Sequence, residues 1–180
     1  MDWVLTAMSK DRPGVVEDIA AIISKHQGNW INSSMSRLGG EFAGIVQYSV
    51  PKTQADDLTT ELLALKQKGI HIVAQPDEGA QEQAQQARGE TVRFELTGID
   101  HPGIMTEITH LLTAKNVTIE QLKTGIFSAS MAGEPMFYAK AKLHLPKDLS
   151  AKQLQEATET IAQDIMVEIN LEIQDDEAYG

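Results

Sequence analysis

The chain repeats itself, and that repeat limits its fold more than any other feature. Asp11-Arg12-Pro13-Gly14-Val15 recurs 89 residues later as Asp100-His101-Pro102-Gly103-Ile104. Each copy follows a run of strand-forming residues, Trp3-Val4-Leu5-Thr6-Ala7 in one case and Val92-Arg93-Phe94-Glu95-Leu96 in the other. The register continues without a gap through the next segment, where Ile19 falls on Ile108, Ile22 on Leu111 and Ile23 on Leu112. Pro51 then pairs with Pro146 at an offset of 95, so the second copy carries six extra residues. Two copies imply two similar small domains, which suits a chain of 180 residues.

Each copy predicts the same succession of elements. Val92, Phe94 and Leu96 alternate with Thr91, Arg93, Glu95 and Thr97, the period of a strand buried on one face. Apolar residues at Val15, Ile19, Ile22 and Ile23, and at Ile104, Ile108, Leu111 and Leu112, follow the 3.6-residue period of a helix. Gly28 is the expected left-handed stop of the first of these helices. Two strands come next, joined by a tight Gly39-Gly40 turn in the first copy and by a longer loop, Ala129 to Pro135, in the second. A second helix (Leu58, Leu62, Leu65; Leu154, Ala157, Ile161) and a closing strand (Val167, Ile169, Leu171, Ile173) complete the copy. The prediction is an α+β chain of two tandem ferredoxin-like βαββαβ domains, each an antiparallel four-stranded sheet with two helices on one face. The expected divisions are 1–75 and 91–174, with a Gln-, Ala- and acid-rich linker at 76–90 and an acidic tail at 175–180. The linker composition would also suit a short helix.

Charge and composition narrow the function. A net charge of −11 and a pI near 4.8 argue against direct nucleic-acid binding, because that affinity comes from phosphates neutralised by Lys and Arg. The absence of cysteine removes disulfides, thiolate metal sites and cysteine nucleophiles, and fits a cytoplasmic chain. No apolar run is long enough to span a membrane, and the N-terminus has no signal-peptide pattern. No Ser-His-Asp set, metal constellation or phosphate cradle can be identified, so no catalytic residue, metal ligand or cofactor is assigned. Trp3 reads as a core residue.

The candidate ligand site is the strand-to-helix turn. Pro13 and Pro102 are expected in the first turn of the helix, where backbone N–H groups lack intrahelical partners. Gly14 and Gly103 let a ligand approach those donors, and a helix N-terminus attracts carboxylate. Asp11 and Asp100 could then accept hydrogen bonds from an ammonium group, giving a receptor for a small α-amino acid such as glycine. The same Asp could instead serve as an ordinary helix cap. His101 stands where Arg12 stands in the first copy and offers a titratable donor, or it is a solvated loop histidine.

The repeated Asp-x-Pro-Gly-[Val/Ile] turn in a βαββαβ frame resembles the ACT domain, a regulatory module that binds amino acids or other small effectors. Two such domains without an attached enzyme resemble the glycine cleavage system transcriptional repressor family. The resemblance implies a non-enzymatic repressor that contacts a DNA-binding activator of the glycine cleavage operon and does not read DNA itself. The alternative is a detached regulatory subunit of a biosynthetic enzyme. It implies effector contacts at Asp11, Arg12, Pro13 and Gly14, and at Asp100, His101, Pro102 and Gly103. A polar residue opening the second strand joins them, often across an interface between two ACT domains. That residue is Asn29 in the first copy and Thr118 in the second, where a hydroxyl lacks the second hydrogen-bonding group of the amide. The first copy is therefore the better site, and a homo-oligomer is expected.

Overall fold

A computed structural model of the chain describes residues 1–78, 88–128 and 133–174. The chain divides into two compact units, Met1–Ala80 and Gln81–Gly180. The first runs β1 (Asp2–Lys10), α1 (Val15–Lys25), β2 (Asn29–Leu38), β3 (Glu41–Ser49), α2 (Ala55–Ala64) and β4 (His71–Pro76). The second runs β5 (Arg88–Ile99), α3 (Ile104–Ala114), β6 (Thr118–Ser128), β7 (Pro135–Pro146), α4 (Ala151–Asp164) and β8 (Val167–Ile173). Both sheets are antiparallel, in the orders β2-β3-β1-β4 and β6-β7-β5-β8. The fold is α+β, two tandem ferredoxin-like units, and the two orders correspond strand for strand. Strands β4 and β5 take in Pro76 and Arg88 to Glu90, while most of the proposed linker (79–87), the tip of the second hairpin (129–132) and the acidic tail (175–180) lie outside the described residues.

Each core lies between one sheet face and its two helices. In the first unit Leu5, Val46 and Tyr48 of the sheet meet Ile19, Ile23, Leu58 and Leu62 of the helices. In the second, Phe94, Leu96 and Leu143 meet Ile108, Leu112 and Leu154. Each such side chain contributes about 1.5–3 kcal/mol by leaving water. The alternation read through Val92, Phe94 and Leu96 is the burial pattern observed in β5, and β7 repeats it with Ala139, Ala141, Leu143 and Leu145 inside.

Three local expectations are corrected. Helix α1 ends at Lys25, and the left-handed residue is Gln27 (φ 58), not Gly28. Gln27 N–H donates to Ser24 O and Gly28 N–H to Ile23 O, the paired bonds of a Schellman closure. Asn116 (φ 55) and Val117 repeat that closure after α3. Gly28 is needed for space, since a Cβ there would lie 2.8 Å from Ile23 Cγ2 and 2.9 Å from Ile23 O. Pro13 and Pro102 sit outside the helices, because Gly14 and Gly103 are the N-cap residues that follow them. In α4 the innermost position belongs to Thr158, fully buried, while Ala157 and Ile161 are half-buried. Thr158 tolerates burial because its Oγ1 donates to Gln155 O at 2.8 Å. The Gly39-Gly40 turn is as expected, with φ values of 59° and 80° between paired Leu38 and Glu41.

Candidate functional site

Both β–α turns are built alike. Gly14 (φ 90) and Gly103 (φ 99) occupy the left-handed region, and neither α1 nor α3 has a side-chain cap. The capping role open to Asp11 and Asp100 is therefore not the one adopted. Asp11 instead anchors the turn to the neighbouring hairpin: its N–H donates to Gly40 O at 3.0 Å, and its Oδ2 accepts from Arg37 Nη1 at 3.1 Å. Asp100 N–H makes the equivalent bond to Pro135 O at 2.8 Å. A glycine N-cap with no side-chain partner leaves the first amides of each helix for an anionic group, with the helix dipole favouring negative charge.

Arg12 and His101 do the same mechanical work with different chemistry. The Arg12 guanidinium donates to Pro13 O at 3.1 Å and to Lys68 O at 3.3 Å. His101 places Nδ1 3.0 Å from Pro102 O and Nε2 2.9 Å from Ile165 O. Lys68 ends the 3-10 turn Leu65–Lys68 that follows α2, and Ile165 is the C-cap of α4, so each β–α turn is stapled to the chain that leaves its unit's second helix. Arg12 also reaches Asp18 Oδ2 at 3.3 Å, while Lys68 Nζ reaches Asp18 Oδ1 at 2.7 Å. The Lys68 hydrogen bond, with Arg12 assisting against partial burial, holds the Asp18 carboxyl below its usual value. Neither carbonyl staple was anticipated. The position of Lys68 and Ile165 just before a left-handed residue, Gly69 or Met166, was the only available signal.

Within one unit the predicted residues do not all meet. Asp11 to Gly14 follow the end of β1, beside the β2–β3 hairpin. Asn29 pairs with Ser49, which pairs with Asp2 at the opposite end of β1. Eight strand steps separate the two ends, roughly 27 Å. Thr118 stands apart from Asp100 to Gly103 in the same way, through its pairing with His144 and thence Thr91. Among the described residues, no group of three or more His, Cys, Asp or Glu side chains is placed to hold a metal ion. No helix among the described residues is long and apolar enough to cross a membrane.

The geometry defines a tandem pair of ferredoxin-like units with glycine-capped β–α turns, and known proteins agree. Residues 2–75 match the ACT domain family. The second unit repeats the fold and strand order of that matched first unit. It is similar to a solved protein of unknown function from Galdieria sulphuraria, at 24% identity and a TM-score of 0.80, covering 97% of this chain and 98% of that one. It is also similar to the solved structure of a candidate glycine cleavage system transcriptional repressor, at 19% identity and a TM-score of 0.71, with coverages of 97% and 98%. No curated protein matches the chain. At these identities the solved structures speak to the fold alone, and the ACT match lies in the first unit.

Proposed function

We propose that the chain is a cytoplasmic, non-enzymatic regulator that binds a small α-amino acid, glycine above all, and represses glycine cleavage operon transcription through a DNA-binding activator. The observation that carries the reading is the N-terminus of α1, capped by Gly14 with no side-chain hydrogen bond to its first amides. It would take the ligand carboxylate, while the exposed Asp11 carboxylate faces the ammonium group. A larger side chain on the ligand would have to pass Arg12, whose Nη1 lies 3.8 Å from a Cβ built on Gly14.

Asn29 joins such a site only from another ACT unit. Strand β2 is a sheet edge. Antiparallel pairing of two β2 edges would set the start of one beside the end of the other, carrying Asn29 to the turn. His101, Pro102, Gly103 and Thr118 form the weaker second site on this reading. The net charge of −11 supports an indirect route to transcription, and likeness in fold to a candidate glycine cleavage repressor supports the choice of operon.

Reconstituted transcription tests the proposal. The purified chain should leave operator DNA unshifted on its own and lower activator-dependent transcription in a glycine-dependent manner. Tight binding to operator DNA without the activator, or no effect on the activator, would overturn it.

A further inference from the structure

The two units share a fold but present opposite outer sheet faces. Across one row of the first sheet, on the side away from the helices, stand Ser34, Ile45, Thr6 and Val73. The matching row of the second sheet reads Lys123, Lys140, Glu95 and Asn170. In the second unit that face carries the ion pairs Lys140–Glu95, Arg93–Glu172 and Lys142–Glu120, an ordinary solvated surface. In the first unit Met8, Ile45 and Val73 are 53%, 54% and 67% exposed around a groove of about 550 Å³. The charged residues of this face lie at its ends, Lys10 paired with Glu41 at one and Asp2 and Asp77 at the other, where Gln47 Nε2 donates to Asp77 Oδ2 at 3.0 Å. An exposed apolar centre of this kind, rimmed by polar and charged residues, marks a contact surface.

We infer that this face pairs with the same face of a second copy of the chain, about a two-fold axis lying in the interface, parallel to the strands and between β1 and β3. The side chains fit that operation and name the occupant. Met8 sits beside Ala43 and Thr6 beside Ile45, so large and small residues alternate along and across the strands. The rotation lays β1 of one copy over β3 of the other. Met8 then faces Ala43 of the second copy, and Ile45 faces its Thr6. Strand β4 falls over β2, so Val73 meets Ser34 and His71 meets Ser36. At the end of the sheet, Lys10 of each copy faces Glu41 of the other, which is charge complementarity rather than repulsion. An interface of this kind is isologous, as in most dimers.

The area suffices. Strands of nine, ten, nine and six residues, about 4.8 Å apart and rising about 3.3 Å per residue, give a face of roughly 540 Å², so two faces cover about 1,080 Å², above the roughly 1,000 Å² a specific interface requires. The contact uses the sheet face and leaves the β2 edge free, so it is independent of the ligand site.

Sedimentation equilibrium of the full chain tests the inference. Without added amino acid, so that pairing of β2 edges at the ligand site does not contribute, the wild type should be dimeric, and Ile45→Lys and Val73→Lys should be monomeric at the same concentration. Both positions are exposed, and the second unit already carries Lys at the first of them, so circular dichroism should be unchanged. Asn170→Lys on the second unit should remain dimeric. Because the chain has no cysteine, Met8→Cys mixed with Ala43→Cys should cross-link between chains under mild oxidation. A monomeric wild type, including one whose groove takes only a small apolar molecule or another protein, would overturn the inference. So would a dimer indifferent to Ile45→Lys and Val73→Lys.

Discussion

The Nε2 of His101 stands 2.9 Å from the carbonyl oxygen of Ile165, and its Nδ1 stands 3.0 Å from that of Pro102. A carbonyl only accepts, so both ring nitrogens must donate, and only the imidazolium can do that. The two bonds, Ile165 first, raise the His101 pKa above its usual value, with Asp100 assisting and partial burial opposing. The folded pKa then exceeds the unfolded value of about 6.5, so the stabilisation is complete below that pH and is lost as pH rises through the folded pKa. Thermal unfolding of the wild type should therefore shift to lower temperature from neutral to mildly alkaline pH. His101→Arg, which supplies the residue the first unit uses, should reduce that slope, leaving the share due to His26.

His26 obeys the same sign rule in the first unit for a different reason. Its Nε2 lies 2.8 Å from Glu61 Oε2 and its Nδ1 3.2 Å from Gln54 Oε1, tying the end of α1 to α2. Glu61 raises the His26 pKa against the cost of burial, and Lys25 and His26 together lower that of Glu61. A proton NMR titration should give His26 a pKa above the ordinary histidine value. Glu61→Gln should bring it down.

Two glycines should respond differently to alanine. At Gly28 a Cβ would press on Ile23 O at 2.9 Å and Ser49 O at 3.1 Å, so Gly28→Ala should cost up to about 3 kcal/mol of stability through overpacking. At Gly14 a Cβ meets only Arg12 Nη1, in ordinary contact at 3.8 Å, so the left-handed φ is what resists, a cost of about 1 kcal/mol. Urea unfolding compares the two.

Tyr48 should be replaceable. Its ring is fully buried, its hydroxyl has no partner, and burial pushes its pKa up to about 12. Leaving a donor unpaired costs roughly 1–3 kcal/mol, so Tyr48→Phe should leave the melting temperature unchanged or raise it. A fall of several degrees would show that the hydroxyl has a partner in solution.

The architecture was legible because it rests on periodicity and repetition. The alternation through Val92, Phe94 and Leu96, and the register linking Asp11 to Asp100, survive as sheet faces and equivalent turns. What escaped notice depends on contacts remote in sequence. Nothing near His101 announces Ile165, and nothing near Arg12 announces Lys68. Gly28 was misread because a glycine required for space and one required for positive φ look the same in a sequence, and Gln27 accepted the left-handed geometry in its place. The site was legible as a turn, but the distance from Asp11 to Asn29 was not, since it is set by strand order and not by spacing along the chain. The contrast between the outer faces was visible only once the pairing placed Thr6 beside Ile45 and Glu95 beside Lys140.

The sensing claim meets its most direct test in calorimetric titration of the full chain with glycine and the other amino acids, repeated on Gly14→Ala and Gly103→Ala. Saturable binding of a small amino acid, lost in Gly14→Ala and kept in Gly103→Ala, is the predicted result. If no amino acid binds, or if binding survives Gly14→Ala unaltered, the first β–α turn is not the receptor.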